Sequence, residues 1–149
     1  MYDLIIKNGI IVNEGVSSFR DIAVKDGKIS RISSLISDDA REKIDAQGKY
    51  IIPGIIDAHI HLNLKVMDFV SQDTYRTATK KAAQNGVTTV IDFTDPSQTL
   101  VESIRKKKLQ AENNSCIDYS FHSTINNDNK KTLDEIKDAV DLGITSFKL

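Results

Sequence analysis

The 149-residue chain reads as an α/β protein, with a small N-terminal β module over residues 1–52 and strands alternating with helix-length segments over residues 53–149. Three observations predict this. Short apolar runs separated by Asn-Gly and Asp-Gly pairs crowd the N-terminal part. Pro53-Gly54 marks a change of rhythm. Beyond it, β-branched runs recur between amphipathic stretches, which implies right-handed βαβ units and a parallel sheet.

In the β module, Leu4 to Lys7 and Ile10 to Val12 flank Asn8-Gly9, a pair that tolerates the positive φ angles of a tight hairpin turn. Ile22 to Lys25 and Lys28 to Ile32 flank Asp26-Gly27 in the same way, and Lys43 to Asp45 and Lys49 to Ile52 flank Gly48. A small antiparallel module is expected. After Pro53-Gly54 the first strand is residues 55–61, and a helix over about residues 71–85 follows, with Tyr75, Ala78 and Ala82 on one face and Gly86 as its stop. Residues 88–93 are β-branched enough for a buried strand. Asp95-Pro96-Ser97 opens a second helix, in which Leu100, Ile104 and Ala111 share a face while Arg105 to Lys108 are expected to stay solvated. A strand over residues 115–123 precedes a third helix, with a capping box at Thr132 and Glu135, apolar positions Leu133, Ile136 and Val140, and Gly143 as its stop. A fourth strand begins at Ile144. Alternation alone leaves open a closed barrel, which takes about 250 residues, and a smaller doubly wound sheet.

Composition narrows the function classes. Hydrophobic residues make up 40% and charged residues 28%, enough for a packed core, and 20 basic against 21 acidic side chains argue against a nucleic-acid or anionic-membrane binder. No apolar run approaches the roughly 20 residues that cross a bilayer. Met1-Tyr2-Asp3-Leu4 lacks a basic, then apolar, leader pattern, and the single Cys116 makes no internal disulfide, so a cytoplasmic location is expected.

The chemistry concentrates in Asp57-Ala58-His59-Ile60-His61. Side chains at i and i+2 of a strand share a face, so His59 and His61 project together and can converge on one divalent metal. They fall at the C-terminal end of the strand, where α/β enzymes place their reactive groups. Asp57 shares that face but lies deeper in the strand, and a supporting role fits it better than ligation.

The order of a β module, then Pro-Gly-Ile-Ile-Asp-Ala-His-Ile-His, then βα units resembles the amidohydrolase superfamily. Three stretches resemble its dihydropyrimidinase/hydantoinase branch: residues 86–93 (GVTTVIDF), 117–122 (IDYSFH) and 143–148 (GITSFK). The resemblance covers essentially the whole chain but only the N-terminal third or so of such an enzyme. It implies that residues 1–52 belong to a composite β-sandwich domain, and that residues 53–149 are the first three to four βα units of an incomplete TIM (β/α)8 barrel of a metal-dependent hydrolase.

By the same resemblance, His59 and His61 would bind the more buried of two divalent ions, expected to be zinc. Lys148 stands where the family has a carboxylated lysine whose carbamate bridges the pair. That chemistry suits a buried lysine, whose neutral amine can take up CO2. A metal-bridging hydroxide would then open a dihydropyrimidine or hydantoin ring, a small cyclic amide. Relatives of the dihydroorotase type carry an arginine two residues after the second histidine; Asn63 stands there, with Lys65 beyond, which speaks against an orotate-like substrate. The family's remaining two histidines, catalytic aspartate and oxyanion-steadying tyrosine have no counterpart up to Lys148. No catalytic residue beyond the metal ligands is therefore assigned, and the chain alone is expected to be inactive, while the complete enzyme is expected to be a homo-oligomer. An allantoinase-like ureide hydrolase and a non-catalytic dihydropyrimidinase-related scaffold are the alternatives.

Weaker candidates complete the reading. His122 is expected to be a hydrogen-bonded core histidine, Asp92 either orients an active-site histidine or caps its strand, and Cys116 is expected to be a packed small hydrophobe.

Overall fold

The computed structural model describes residues 1–66, 68–95, 99–126 and 130–149. The chain divides into two compact units, Met1–Pro53 and Gly54–Leu149.

The first unit is one mixed sheet. β1 (Tyr2–Asn13) lies between β2 (Val16–Lys25) and β4 (Ala40–Asp45), β3 (Lys28–Ser33) pairs with β2, and the short β5 (Tyr50–Ile51) also pairs with β1. β2/β3 form the antiparallel hairpin expected at Asp26-Gly27, with Lys25 opposite Lys28. Asn8-Gly9 does otherwise: it makes no turn. Asn8 takes φ 61° inside a continuous β1, the β1/β2 register shifts between Ile6 and Gly9, and the turn comes at Glu14-Gly15. A left-handed Asn-Gly pair suits a bulge as well as a turn, and side-chain partners decide here: the Asn8 backbone N–H donates to Asp21 Oδ1 and its amide to Asp45 Oδ1, both at 2.9 Å. The module is not wholly antiparallel, because β4 and β5 run parallel to β1. Ile5, Ala23 and Ile36 form its buried core.

The second unit holds four parallel strands. β6 (Ile55–Ile60), β9 (Val87–Phe93), β10 (Asp118–Thr124) and β11 (Phe147–Lys148) lie side by side in chain order, between them α1 (Tyr75–Gln84), α2 (Leu100–Ala111) and α3 (Lys130–Asp141). Strand order without reversal is that of a sheet curling progressively, unlike a doubly wound sheet, whose order reverses at a switch point. A two-stranded hairpin, β7 (Lys65–Val66) with β8 (Phe69–Val70), follows β6. Gly54 allows β6 to approach β9: a Cβ there would stand 2.0 Å from Thr88 Oγ1.

Local chemistry sets the helix ends. Thr74 caps α1 in a reciprocal box with Thr77, and Thr99 caps α2; Pro96 and Ser97, expected to open that helix, lie outside the described residues. The box expected at Thr132/Glu135 is not α3's start, since the helix already includes Lys130. Glu135 instead accepts the Leu100 N–H at 2.8 Å and so caps α2. Leu133 and Val140 are exposed, and α3 buries Ala139. The core joins Leu62, Tyr75, Ile104, Ala111, Phe121, Ala139 and Ile144.

Candidate metal centre

The functional candidates gather where the parallel strands end. His59 and His61 sit at the end of β6, Phe93 closes β9, His122 lies on β10 and Lys148 closes β11. The Phe93 ring is their common neighbour. Its centroid lies 4.6 Å from the His59 ring, 4.8 Å from His61 and 4.9 Å from His122, and Lys148 Nζ stands 4.6 Å from it. The two imidazoles of the His-x-His pair are 5.4 Å apart, edge to face. His61, Phe93 and Lys148 line one cavity of about 340 Å³, shared with Asn63, Lys65 and Asp95.

A bulge aims the pair. Asp57 is opposite Val90 and Ile60 opposite Asp92, three steps on β6 against two on β9, so Ala58 and His59 leave the ladder. The backbone groups so released find side chains. The His59 N–H donates to Asp57 Oδ1 at 3.2 Å, which gives Asp57 the supporting role expected of it, and the Ala58 carbonyl meets His122 Nε2 at 3.0 Å.

Below the pair is a buried charge knot. Lys107 Nζ lies 2.7 Å from Asp92 Oδ2 and 2.6 Å from the Leu62 carbonyl, Tyr75 donates its hydroxyl to Asp92 at 2.5 Å, and the Leu62 N–H reaches Asp92 Oδ1 at 3.3 Å. Both backbone polar groups of Leu62, the residue after His61, are thereby held. The expectation that Lys107 stays solvated fails, as its side chain is 8% exposed. Its spacing carried the signal: Leu100, Ile104, Lys107 and Ala111 follow i, i+4, i+7 and i+11, the buried face of α2.

Electrostatics fit ligand chemistry at His61. Partial burial is the first cause that lowers its pKa below the ordinary histidine value; Lys148, His59 and Lys107 add to this and Asp92 opposes it. The neutral imidazole, the form that binds metals, is favoured. Among the described residues no group of three or more His, Cys, Asp and Glu could hold a metal ion by themselves. His59 and His61 supply two nitrogens, both ring nitrogens of His122 are engaged by protein atoms, and Lys148 is the remaining group at the cluster. That donor set fits a metal if Lys148 contributes as a carbamate. The burial expected of Lys148 is not found, because the side chain is exposed. Cys116, expected to be packed, is exposed too, its Sγ 3.3 Å from Thr79 Oγ1. No helix among the described residues is long and apolar enough to cross a membrane.

Comparison with known proteins agrees with this architecture. The D-hydantoinase of Ralstonia pickettii is 40% identical over 149 residues, covering 99% of this chain and 32% of that protein. The D-hydantoinase (dihydropyrimidinase) structure from Thermus sp. superposes with a TM-score of 0.92 at 36% identity, over 98% of this chain and 32% of that one. The dihydropyrimidinase structure from Brevibacillus agri NCHU1002 superposes with a TM-score of 0.93 at 34% identity, over 100% and 33%. The chain thus spans about a third of the length of these relatives and matches their N-terminal part. Residues 50–143, more than half of the chain, match the amidohydrolase family, and to that family the chain belongs.

Proposed function

We propose that this chain is the N-terminal part of a metal-dependent hydrolase that opens cyclic amides of the dihydropyrimidine or hydantoin kind, and that residues 54–149 begin a (β/α)8 barrel. The observation that carries it is the meeting of His59, His61 and Lys148 around Phe93 at the C-terminal rim of four parallel strands. Likeness to D-hydantoinases and dihydropyrimidinases along essentially the whole chain supports the substrate class.

In this reading His59 and His61 would hold a divalent ion through their imidazoles, and Lys148, as its carbamate, would supply the oxygen ligands of the metal centre. Bound zinc would supply a nucleophile at neutral pH and a Lewis acid for the scissile carbonyl. Asp57 fixes the His59 backbone, and the Asp92–Lys107–Tyr75 knot fixes the backbone of Leu62, the residue after His61. Asn63 at the cavity wall offers an amide where an arginine would select a carboxylate, which suits a neutral ring. Ring opening adds water across one C–N bond, leaving a carboxylate and an N–H. The chain holds three histidines, with His122 engaged elsewhere, so by itself it is inactive.

The test joins residues 1–149 to the remaining two-thirds of the Ralstonia pickettii D-hydantoinase. The chimera is expected to bind zinc and to open hydantoin or dihydrouracil faster than allantoin, and His59→Ala, His61→Ala or Lys148→Ala to abolish turnover. A folded chimera that holds no metal and opens none of these rings would refute the reading.

A further inference from the structure

We propose that His122 is a positioning residue: its imidazole ties the strand carrying His59 and His61 to the strand carrying Lys148, and so sets the separation of these groups. This rests on the reading of the three as metal ligands.

His122 stands on β10, and β9 lies between β10 and β6. Its ring nevertheless reaches the Ala58 carbonyl with Nε2 at 3.0 Å and Ser146 Oγ with Nδ1 at 2.5 Å. A carbonyl oxygen only accepts, so Nε2 carries the hydrogen, and in the neutral ring Nδ1 accepts from the Ser146 hydroxyl. One side chain on β10 therefore links β6 to the segment that leads into β11. It spans β9 by packing on Phe93, at 4.9 Å between centroids, the ring on which His59 and His61 also rest.

Its two anchors lie beside the ligand residues. Ala58 immediately precedes His59 and stands in the bulge, where the regular ladder does not hold it. Ser146 comes two residues before Lys148, and its carbonyl accepts the Ser123 N–H at 3.1 Å, so that segment is gripped from β10 by backbone and side chain together. β6 and β11 are the two edge strands of the described sheet, each with a single neighbour. Groups that orient metal ligands without touching the metal typically contribute 10–100-fold to affinity; acting through backbone, His122 is expected to fall near about tenfold.

The 149-residue chain serves for the test. Labelled with 15N-histidine and free of metal, it should show His122 as the Nε2–H tautomer in long-range 1H–15N spectra; an Nδ1–H tautomer would overturn the clamp. Co2+ titration followed by visible absorption should then give about tenfold weaker binding for His122→Phe, which keeps the stacking but loses both bonds. A smaller loss is expected for Ser146→Ala, and partial recovery for His122→Gln, whose amide can donate to Ala58. Circular dichroism checks each variant, and Ser146→Ala carries the test if His122→Phe fails to fold. Wild-type chain that binds no Co2+ would overturn the positioning role, whereas the hydrolase reading stands or falls on the metal content and turnover of the chimera. Wild-type binding matched by folded His122→Phe or Ser146→Ala would refute the positioning role alone, even if those variants unfold more easily.

Discussion

Lys107 Nζ stands 2.7 Å from Asp92 Oδ2, with the two side chains 8% and 0% exposed. An ion pair so enclosed is weak evidence of net stabilisation, yet removing one partner strands the other's charge. Lys107→Ala is therefore expected to cost about 3–5 kcal/mol, read as a lower urea midpoint. A variant that unfolds at the wild-type midpoint would show that Tyr75 and the Leu62 N–H hold the Asp92 charge without Lys107.

Tyr75 donates to the same carboxylate. Burial first, then the charge and hydrogen bond of Asp92, push its phenol far above the ordinary tyrosine range. The folded state thus keeps this proton while the unfolded chain releases it near pH 10, so stability falls as pH climbs past that value. Ultraviolet titration should show Tyr75 ionising only with unfolding. Tyr75→Phe should remove that step and cost about 1.5–3 kcal/mol at neutral pH.

Glu135 reaches from α3 to cap α2 at the Leu100 N–H. Glu135→Ala is expected to cost about 0.5–2 kcal/mol and to speed hydrogen exchange at Leu100. A cap internal to α3 would instead loosen the first turn of α3 and leave Leu100 unchanged.

In the N-terminal unit the Asn8 side-chain amide, followed by the Gln47 backbone N–H, holds the exposed Asp45 carboxyl below the ordinary aspartate value. Its contribution is present above the unfolded pKa and is lost as pH falls through the depressed folded one. Carboxyl NMR titration should place Asp45 below ordinary aspartates, and Asn8→Ala should move it back up.

The strands and helices of the second unit were legible because their apolar periods and Gly stops are local: Gly86 and Gly143 do take positive φ, and Tyr75, Leu100, Ile104 and Ala111 are buried as their spacing implies. The errors came wherever a distant partner outweighed a local preference. Asn8-Gly9 carries a hairpin signal but makes a bulge, because Asp21 and Asp45 take its donors. Glu135 fits a capping box but serves another helix, and Lys107 sits in a basic run but belongs to a buried carboxylate. His122 is hydrogen-bonded as expected of it, but nothing local shows that its two nitrogens reach Ala58 and Ser146 on separate parts of the chain.

By itself the amino-acid order determined the alternation of elements, the shared face of His59 and His61, and the likeness to a family of hydrolases, because strand period, turn chemistry and motif spacing are all short-range. Only the tertiary structure decided that Phe93 lies at the meeting point of four polar side chains and that Asp92 draws Lys107 inward. Such contacts join residues far apart in the chain, and a buried charge or an unpaired carbonyl takes whichever partner the packed strands bring within reach.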